Sequence, residues 1–246
     1  SMLTGRGIVS SICTTRRTMP DAVIFDFDGV LVDTEPVHFL ALRSVLAPLG
    51  LDFDWPHYLE HYIGLDDRGV FRAAFQQSGQ RLDPGREREL IAAKGRAFAD
   101  AVRRAPPPAL PGVESLLREL HGHVPLALCS GALPADIEPV LQQRNWTDVF
   151  EVRVTAADVA ESKPNPTSYA LALRRLQDCY PDRPLPAHRC VAVEDTDAGE
   201  TAARGAGLAV VRVAGRGNGA VPAGGVWKVP SLEVVSKTRL DEVFGL

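Results

Sequence analysis

"DAVIFDFDGVLVDTE", residues 21–35, decides how the rest of the chain is read. Ala22, Val23, Ile24 and Phe25 form a short apolar run, mostly β-branched or aromatic, and Gly29 follows closely, which predicts a strand buried on both faces. The acids begin where the run stops. Side chains two apart in a strand point the same way and stand roughly 6.6 Å apart, so Asp26 and Asp28 are expected to leave the carboxyl end of the strand side by side, spaced to flank a small bound group. Carboxylates that close repel unless a cation lies between them or one of them is protonated, and either remedy points to chemistry rather than packing.

The 246 residues, 45% hydrophobic and 24% charged with a net charge of -4, describe a soluble globular chain long enough for a core domain with an insertion. The negative balance argues against a nucleic-acid partner, and no apolar stretch approaches the length of a membrane span. Cys13, Cys129, Cys179 and Cys190 show neither a C-x-x-C nor a metal-ligand spacing and read as reduced thiols of a cytoplasmic protein. Residues 1–18 carry Arg, Ser and Thr but no acid; they read as a disordered tail or a tag outside the fold, with Met19 as a natural start. Nothing in the chain demands an obligate partner, and a monomer is the expectation.

From residue 110 onward helical and strand patterns alternate: "PGVESLLREL", "VPLALCS", "PADIEPVLQQRN", "FEVRVT", "NPTSYALALRRL", "RCVAVED", "TDAGETAARGAG", "LAVVRV". Such alternation predicts an α/β fold, a Rossmann-like parallel sheet with helices on both faces, whose ligands bind beyond the carboxyl ends of the strands. Residues 36–106 lack strand signals and hold three helix patterns, "PVHFLALRSVLAPLG", "DRGVFRAAFQQSG" and "GRERELIAAKGRAFADAV". Residues 32–36 lead out to that segment and "APPPALPG" leads back, so the expected division is a core of 19–35 and 107–246 with a helical cap inserted at 36–106. The Gly-rich "AGRGNGAVPAGG" at 214–225 has the wrong spacing for a dinucleotide fingerprint and reads as a surface loop.

In a parallel sheet the polar residues that follow the strands share one edge: Asp26 and Asp28, Ser130 after "LALC", Lys163 in "ESKPNP", and Glu194 with Asp195 after "CVAV". Each alone has an ordinary reading as a cap, a solvated lysine or a loop acid. Together, and in this order, "DFDGVLVDTE", "CSG", "KPNP" and "EDTDAGETAARGAG" resemble the haloacid dehalogenase superfamily over nearly all of residues 21–213, and within it the β-phosphoglucomutase-like and phosphoglycolate phosphatase-like enzymes with an α-helical cap. The resemblance implies that Asp26 is the nucleophile, Asp28 the general acid and base, and Ser130 and Lys163 the phosphate anchors. It also implies an Mg²⁺ ion held by Asp26, the backbone carbonyl of Asp28, Asp195 and, in support, Glu194. Charge arithmetic agrees with such roles: two anions meeting at about 4 Å in a dielectric near 20 repel by roughly 4 kcal/mol, which a metal and a lysine can screen.

Rival readings of the same acids fail on spacing. "DTDAGE" opens like a calcium loop, but the twelfth position from Asp195 is Ala206 rather than a glutamate. His57 and His61 stand one helical turn apart with no clear third zinc ligand, and read as solvated side chains. A dehalogenase has no leaving oxygen to protonate and no need of Asp28.

Three activities remain. Thr34, His38 and Lys94 match positions of β-phosphoglucomutases. Against a mutase, Gly131, Ala132, Leu133 and Pro134 supply no side-chain donors for a distal phosphate, and Arg68 falls one place from the expected cap arginine. The preferred reading is a phosphatase acting on a small phosphorylated metabolite, a sugar phosphate or a phosphoglycolate-like acid. A phosphomutase and a non-catalytic phosphometabolite-binding module are the alternatives. Thr34, His38, Arg68, Lys94, Arg96 and Gly131 are the candidate substrate contacts.

Overall fold

The computed structural model describes residues 20–63, 65–213 and 224–244. The expected tail at 1–18 and most of the Gly-rich stretch at 214–225 lie outside them. Strand β1 (Ala22–Phe25) is followed by helices α1 (Glu35–Leu46), α2 (Trp55–His61), α3 (Asp67–Gln77) and α4 (Pro84–Arg104). Then come α5 (Val113–Leu120), β2 (Leu126–Cys129), α6 (Pro134–Arg144), β3 (Val152–Val154), α7 (Thr167–Cys179) and β4 (Cys190–Glu194). The chain closes with α8 (Asp197–Gly205), β5 (Ala209–Val213), β6 (Val226–Val229) and α9 (Lys237–Phe244).

The six strands form one sheet in the order β3-β2-β1-β4-β5-β6, and every neighbouring pair is parallel. This is the doubly wound α/β arrangement the alternation predicts; β6 is an addition that the sequence patterns did not reveal. Side chains along β1 divide between the faces as a strand's period of two requires. Val23 and Phe25 join the core against α5, α6 and α9, and Ala22 and Ile24 join the core against α7 and α8. Each of these four residues is fully buried, so β1 sits at the centre of the sheet with a helix layer on either side.

Helices α1–α4 have a cluster of their own, built on Leu42, Leu46, Phe71, Phe75 and Leu90. Helix α4 belongs to two clusters: Leu90 packs with the other inserted helices, while Phe98 and Val102, two and three turns on, pack into the core beneath the sheet. Asp54, Asp66 and Asp83 cap α2, α3 and α4 by accepting backbone N–H donors, which is why the helices start where they do. The outgoing and returning links are tied to each other, for Leu110 N–H donates to the Leu31 carbonyl at 2.9 Å and Val32 bridges Ala109 antiparallel. No helix among the described residues is long and apolar enough to cross a membrane.

Candidate active site

The carboxyl ends of β1, β2 and β4 meet at one point of the sheet edge because β1 is flanked by both of the others. Asp26 continues β1, its N–H donating to the Val193 carbonyl at 2.9 Å. Ser130 continues β2, with its N–H on the Val154 carbonyl, and its hydroxyl accepts the Ala132 N–H at 3.0 Å. Lys163 comes from the segment between β3 and α7 and reaches across the strands. Its Nζ donates to Asp26 Oδ1 at 2.8 Å, to Glu194 Oε1 at 2.6 Å and to the Cys129 carbonyl at 2.9 Å. Burial alone would lower its pKa, but Asp26 and Glu194 outweigh that and lift it above the usual lysine range, so the ammonium is kept.

Glu194 is fully buried and every side of its carboxylate is occupied. Oε1 accepts the Tyr169 hydroxyl at 2.7 Å as well as Lys163, and Oε2 accepts the N–H groups of Asp195 and Thr196 and the Thr196 hydroxyl. The Lys163 ammonium also lies 4.9 Å from the centre of the buried Tyr169 ring. Two glycines make room for the acids. Gly199 in α8 faces Glu194 and Gly29, with φ +76°, faces Asp195; a Cβ at either place would fall within about 2.1 Å of a carboxylate oxygen.

Asp26, Glu194 and Asp195 bring carboxylate oxygens within 4.8 Å of one another, a spacing that can hold a metal ion. Asp195 Oδ1 is buried with no hydrogen-bond partner. Burial, reinforced by Glu194, pushes Asp195 up to about 6. Burial also carries Asp26 well above the usual carboxylate range, although Lys163 pulls against it. Three acids and one ammonium are therefore short of positive charge.

Asp28 stands apart from that trio, on the floor of a cavity of about 350 Å³ between the sheet edge and the inserted helices. Burial raises it to about 6 against the lowering effect of the Thr34 hydroxyl, which donates to its Oδ1. Of the expected substrate contacts, His38 and Gly131 line the cavity. Thr34 is buried against Asp28 instead. Lys94 is fully buried behind the wall, its Nζ 3.0 Å from Asp67 Oδ1 and 3.1 Å from Asp136 Oδ1. Arg68 and Arg96 are exposed and do not line the cavity. Arg96 lies on the side of α4 roughly opposite the buried stripe of Leu90, Lys94, Phe98 and Val102, and Arg68 adds to the lowering of the Glu87 carboxyl's pKa, which Arg72 dominates. Sequence reasoning missed Tyr169, Asp67 and Asp136. Their place in the chain, one within a helix and two in the first turn of one, gave no signal.

A family model for haloacid dehalogenase-like hydrolases matches residues 20–207. Protein CbbY of Cupriavidus necator is 32% identical over 203 residues, covering 77% of this chain and 76% of its own. The fructose-1-phosphate phosphatase YqaB of Escherichia coli is 31% identical over 195 residues, covering 78% and 95%. The crystal structure of CbbY from Rhodobacter sphaeroides in complex with phosphate superposes with a TM-score of 0.73 at 26% identity, covering 88% of this chain and 96% of that one, and a mutant of it in complex with xylulose-(1,5)bisphosphate matches equally well.

Proposed function

The chain belongs to the haloacid dehalogenase-like hydrolase family, and from that membership we propose that this phosphoric monoester hydrolase is an Mg²⁺-dependent phosphatase of a small phosphorylated sugar, working through an aspartyl phosphate on Asp26. The observation that carries the reading is the Lys163 ammonium fixed between Asp26, Glu194 and the Cys129 carbonyl beside the orphaned Asp195 Oδ1. That arrangement positions one carboxylate and collects positive charge where a phosphoryl group would sit.

The residues fit a divalent cation. Asp26 and Asp195 bring carboxylate oxygens together, and with the backbone carbonyl of Asp28 they would give the all-oxygen donor set that Mg²⁺ takes. The orphaned Oδ1 and the elevated carboxyl pKa values mark the missing charge. Glu194, saturated by protein donors, serves to seat Lys163. Bound there, Mg²⁺ would neutralise charge on the phosphoryl oxygens and hold Asp26 ionised.

Lys163 holds Asp26 Oδ1, which leaves Oδ2 to attack phosphorus. As the ester P–O bond breaks, Asp28 gives its proton to the departing oxygen; a pKa near 6 leaves a useful fraction protonated near neutrality. The Asp28 carboxylate then takes a proton from water as the water oxygen attacks the aspartyl phosphate, releasing inorganic phosphate and restoring both acids. The Ser130 hydroxyl donates to a phosphoryl oxygen throughout, and Lys163, its three N–H donors already on Asp26, Glu194 and the Cys129 carbonyl, screens the phosphoryl charge through space. Helices α1–α4 act as a cap that keeps bulk water from the cavity. The test is phosphate release from sugar phosphates with Mg²⁺. Release that disappears with a chelator and in Asp26→Asn supports the reading; an unimpaired Asp26→Asn enzyme, or isomerisation of β-glucose 1-phosphate without net release, defeats it.

A further inference from the structure

The cavity over Asp28 is walled by acids. Glu35 enters from the first turn of α1, Asp66 and Asp67 from the start of α3, and Asp136 from the first turn of α6. Neither arginine nor lysine is among its described lining residues. The lysine behind the wall is already engaged, since Lys94 faces Asp67 and Asp136 together and brings no spare positive charge to the cavity. Burial and then Lys94 hold the His38 imidazole down at about 3, so it is neutral near pH 7. The Tyr58 hydroxyl is committed to Glu35 Oε2 at 2.5 Å. On the core side Gly131, Ala132 and Leu133 offer no side-chain donor and Ser162 only a neutral hydroxyl.

Carboxylates accept hydrogen bonds and repel anions. A substrate must place its phosphate at Lys163 and its remaining atoms among these acceptors, where hydroxyl or ammonium groups find partners and a second phosphate or a carboxylate finds like charge. We infer that the departing alcohol is rich in hydrogen-bond donors and carries no second anionic group: the substrate is a polyol or amino-sugar monophosphate, not a bisphosphate or a phosphorylated acid. The inference rests on the phosphatase reading of the same site and narrows it, because phosphoglycolate-like acids are excluded. It also sets this chain apart from the relative crystallised with xylulose-(1,5)bisphosphate. Glu35 and Asp67 become residues that determine specificity.

A matched set sharing one esterified carbon tests this: glucose 6-phosphate, glucosamine 6-phosphate and 6-phosphogluconate, with fructose 6-phosphate against fructose 1,6-bisphosphate. Each is assayed for phosphate release with Mg²⁺. Each is also titrated calorimetrically into Asp26→Asn protein with Mg²⁺, so that binding is read without turnover. Neutral and ammonium members are expected to exceed their anionic counterparts by at least about tenfold, the scale of one like-charge pair in a partly screened site. The gap should narrow in Glu35→Gln and Asp67→Asn. The glucosamine to glucose ratio distinguishes an ammonium from a hydroxyl as the preferred donor. Equal or tighter binding of the phosphogluconate or the bisphosphate overturns the inference, as does failure of every donor-rich member to bind. Absence of Mg²⁺-dependent release from the whole set and from p-nitrophenyl phosphate, with the binding order intact, would instead strike at the phosphatase reading alone.

Discussion

Gly199 lies so close to Glu194 that a methyl group on it would fall 1.9 Å from the glutamate's carboxyl carbon. The third residue of helix α8 thus lacks a side chain and makes space for the acid that seats Lys163. Gly199→Ala should displace Glu194, and with it Lys163, by a fraction of an ångström or more while the helix, which favours alanine, still forms. Misplacement on that scale costs about a hundredfold in rate. The variant is expected to keep a wild-type circular dichroism spectrum with kcat reduced by that order; unchanged kcat would show that the carboxylate has room to spare.

Tyr169→Phe keeps the ring beneath the Lys163 ammonium and removes the hydroxyl that Glu194 Oε1 accepts at 2.7 Å. A hydrogen bond to a charged, buried acceptor contributes about 1.5–3 kcal/mol. Urea unfolding should register a loss in that range, and kcat should fall more than KM rises, because the lost contact acts through Lys163 and not through substrate binding.

Mg²⁺ should stabilise the protein through Asp195. At a hundredfold excess over its Kd a ligand specific to the folded state adds about 2.7 kcal/mol. Thermal unfolding with and without Mg²⁺ should show an upward shift in the wild type and none in Asp195→Asn; the same shift in both would place the ion elsewhere.

Removing the Lys94 ammonium leaves Asp67 and Asp136 facing each other without compensation. Breaking a buried pair from one side costs about 3–5 kcal/mol, so Lys94→Met should lower the unfolding free energy by that order. Adding Asp136→Asn to Lys94→Met should restore part of it, and a double variant no more stable than the single one would refute the coupling.

His38 makes stability depend on pH. Its pKa is lowered to about 3 in the folded chain, by burial first and then by Lys94, against about 6.5 when unfolded. Above pH 6.5 both states are neutral at this position and its contribution is complete. As pH falls from 6.5 towards 3 the unfolded chain takes up the proton first, and stability is lost. Between pH 7 and pH 5 the loss assigned to His38 is about 1–2 kcal/mol, allowing for its partial exposure. Comparing urea unfolding of wild type and His38→Gln at the two pH values isolates it, since the opposite slope from the raised carboxyls is common to both proteins; identical slopes would contradict it.

The sequence read well where a local pattern and the fold agree. The apolar run at 22–25, its acids and the alternation after residue 110 are local signals, and the parallel sheet converts strand ends into a shared edge. Strand β6 lies between a Gly-rich stretch and Pro230 and is interrupted by the exposed Lys228, so it lacks the unbroken apolar run that marks β1 and β2. Helix α2 was missed for a similar reason, with seven residues and three histidine or proline positions inside it. The substrate contacts were the weakest part. Lys94, chosen as a cationic contact, proves to be internal and committed to two acids, and Arg68 and Arg96 face solvent, because the orientation of a helix about its axis follows from packing that no motif records. The acidic wall is invisible in a linear reading for the same reason: its members come from α1, α3 and α6, far apart along the chain.

The stitch between Leu31 and Leu110 closes the intervening chain into a loop anchored at its own base. Phe98, Val102 and the Lys94–Asp136 pair bind the end of α4 to the core, but the helices before it pack among themselves, and there added length is cheap: doubling a loop's length costs only about 0.6 kcal/mol of closure entropy. The helices before α4 can therefore be lengthened, trimmed or exchanged at little cost to the strand ends, which on the proposed reading would alter the alcohol admitted without disturbing Asp26 or Lys163.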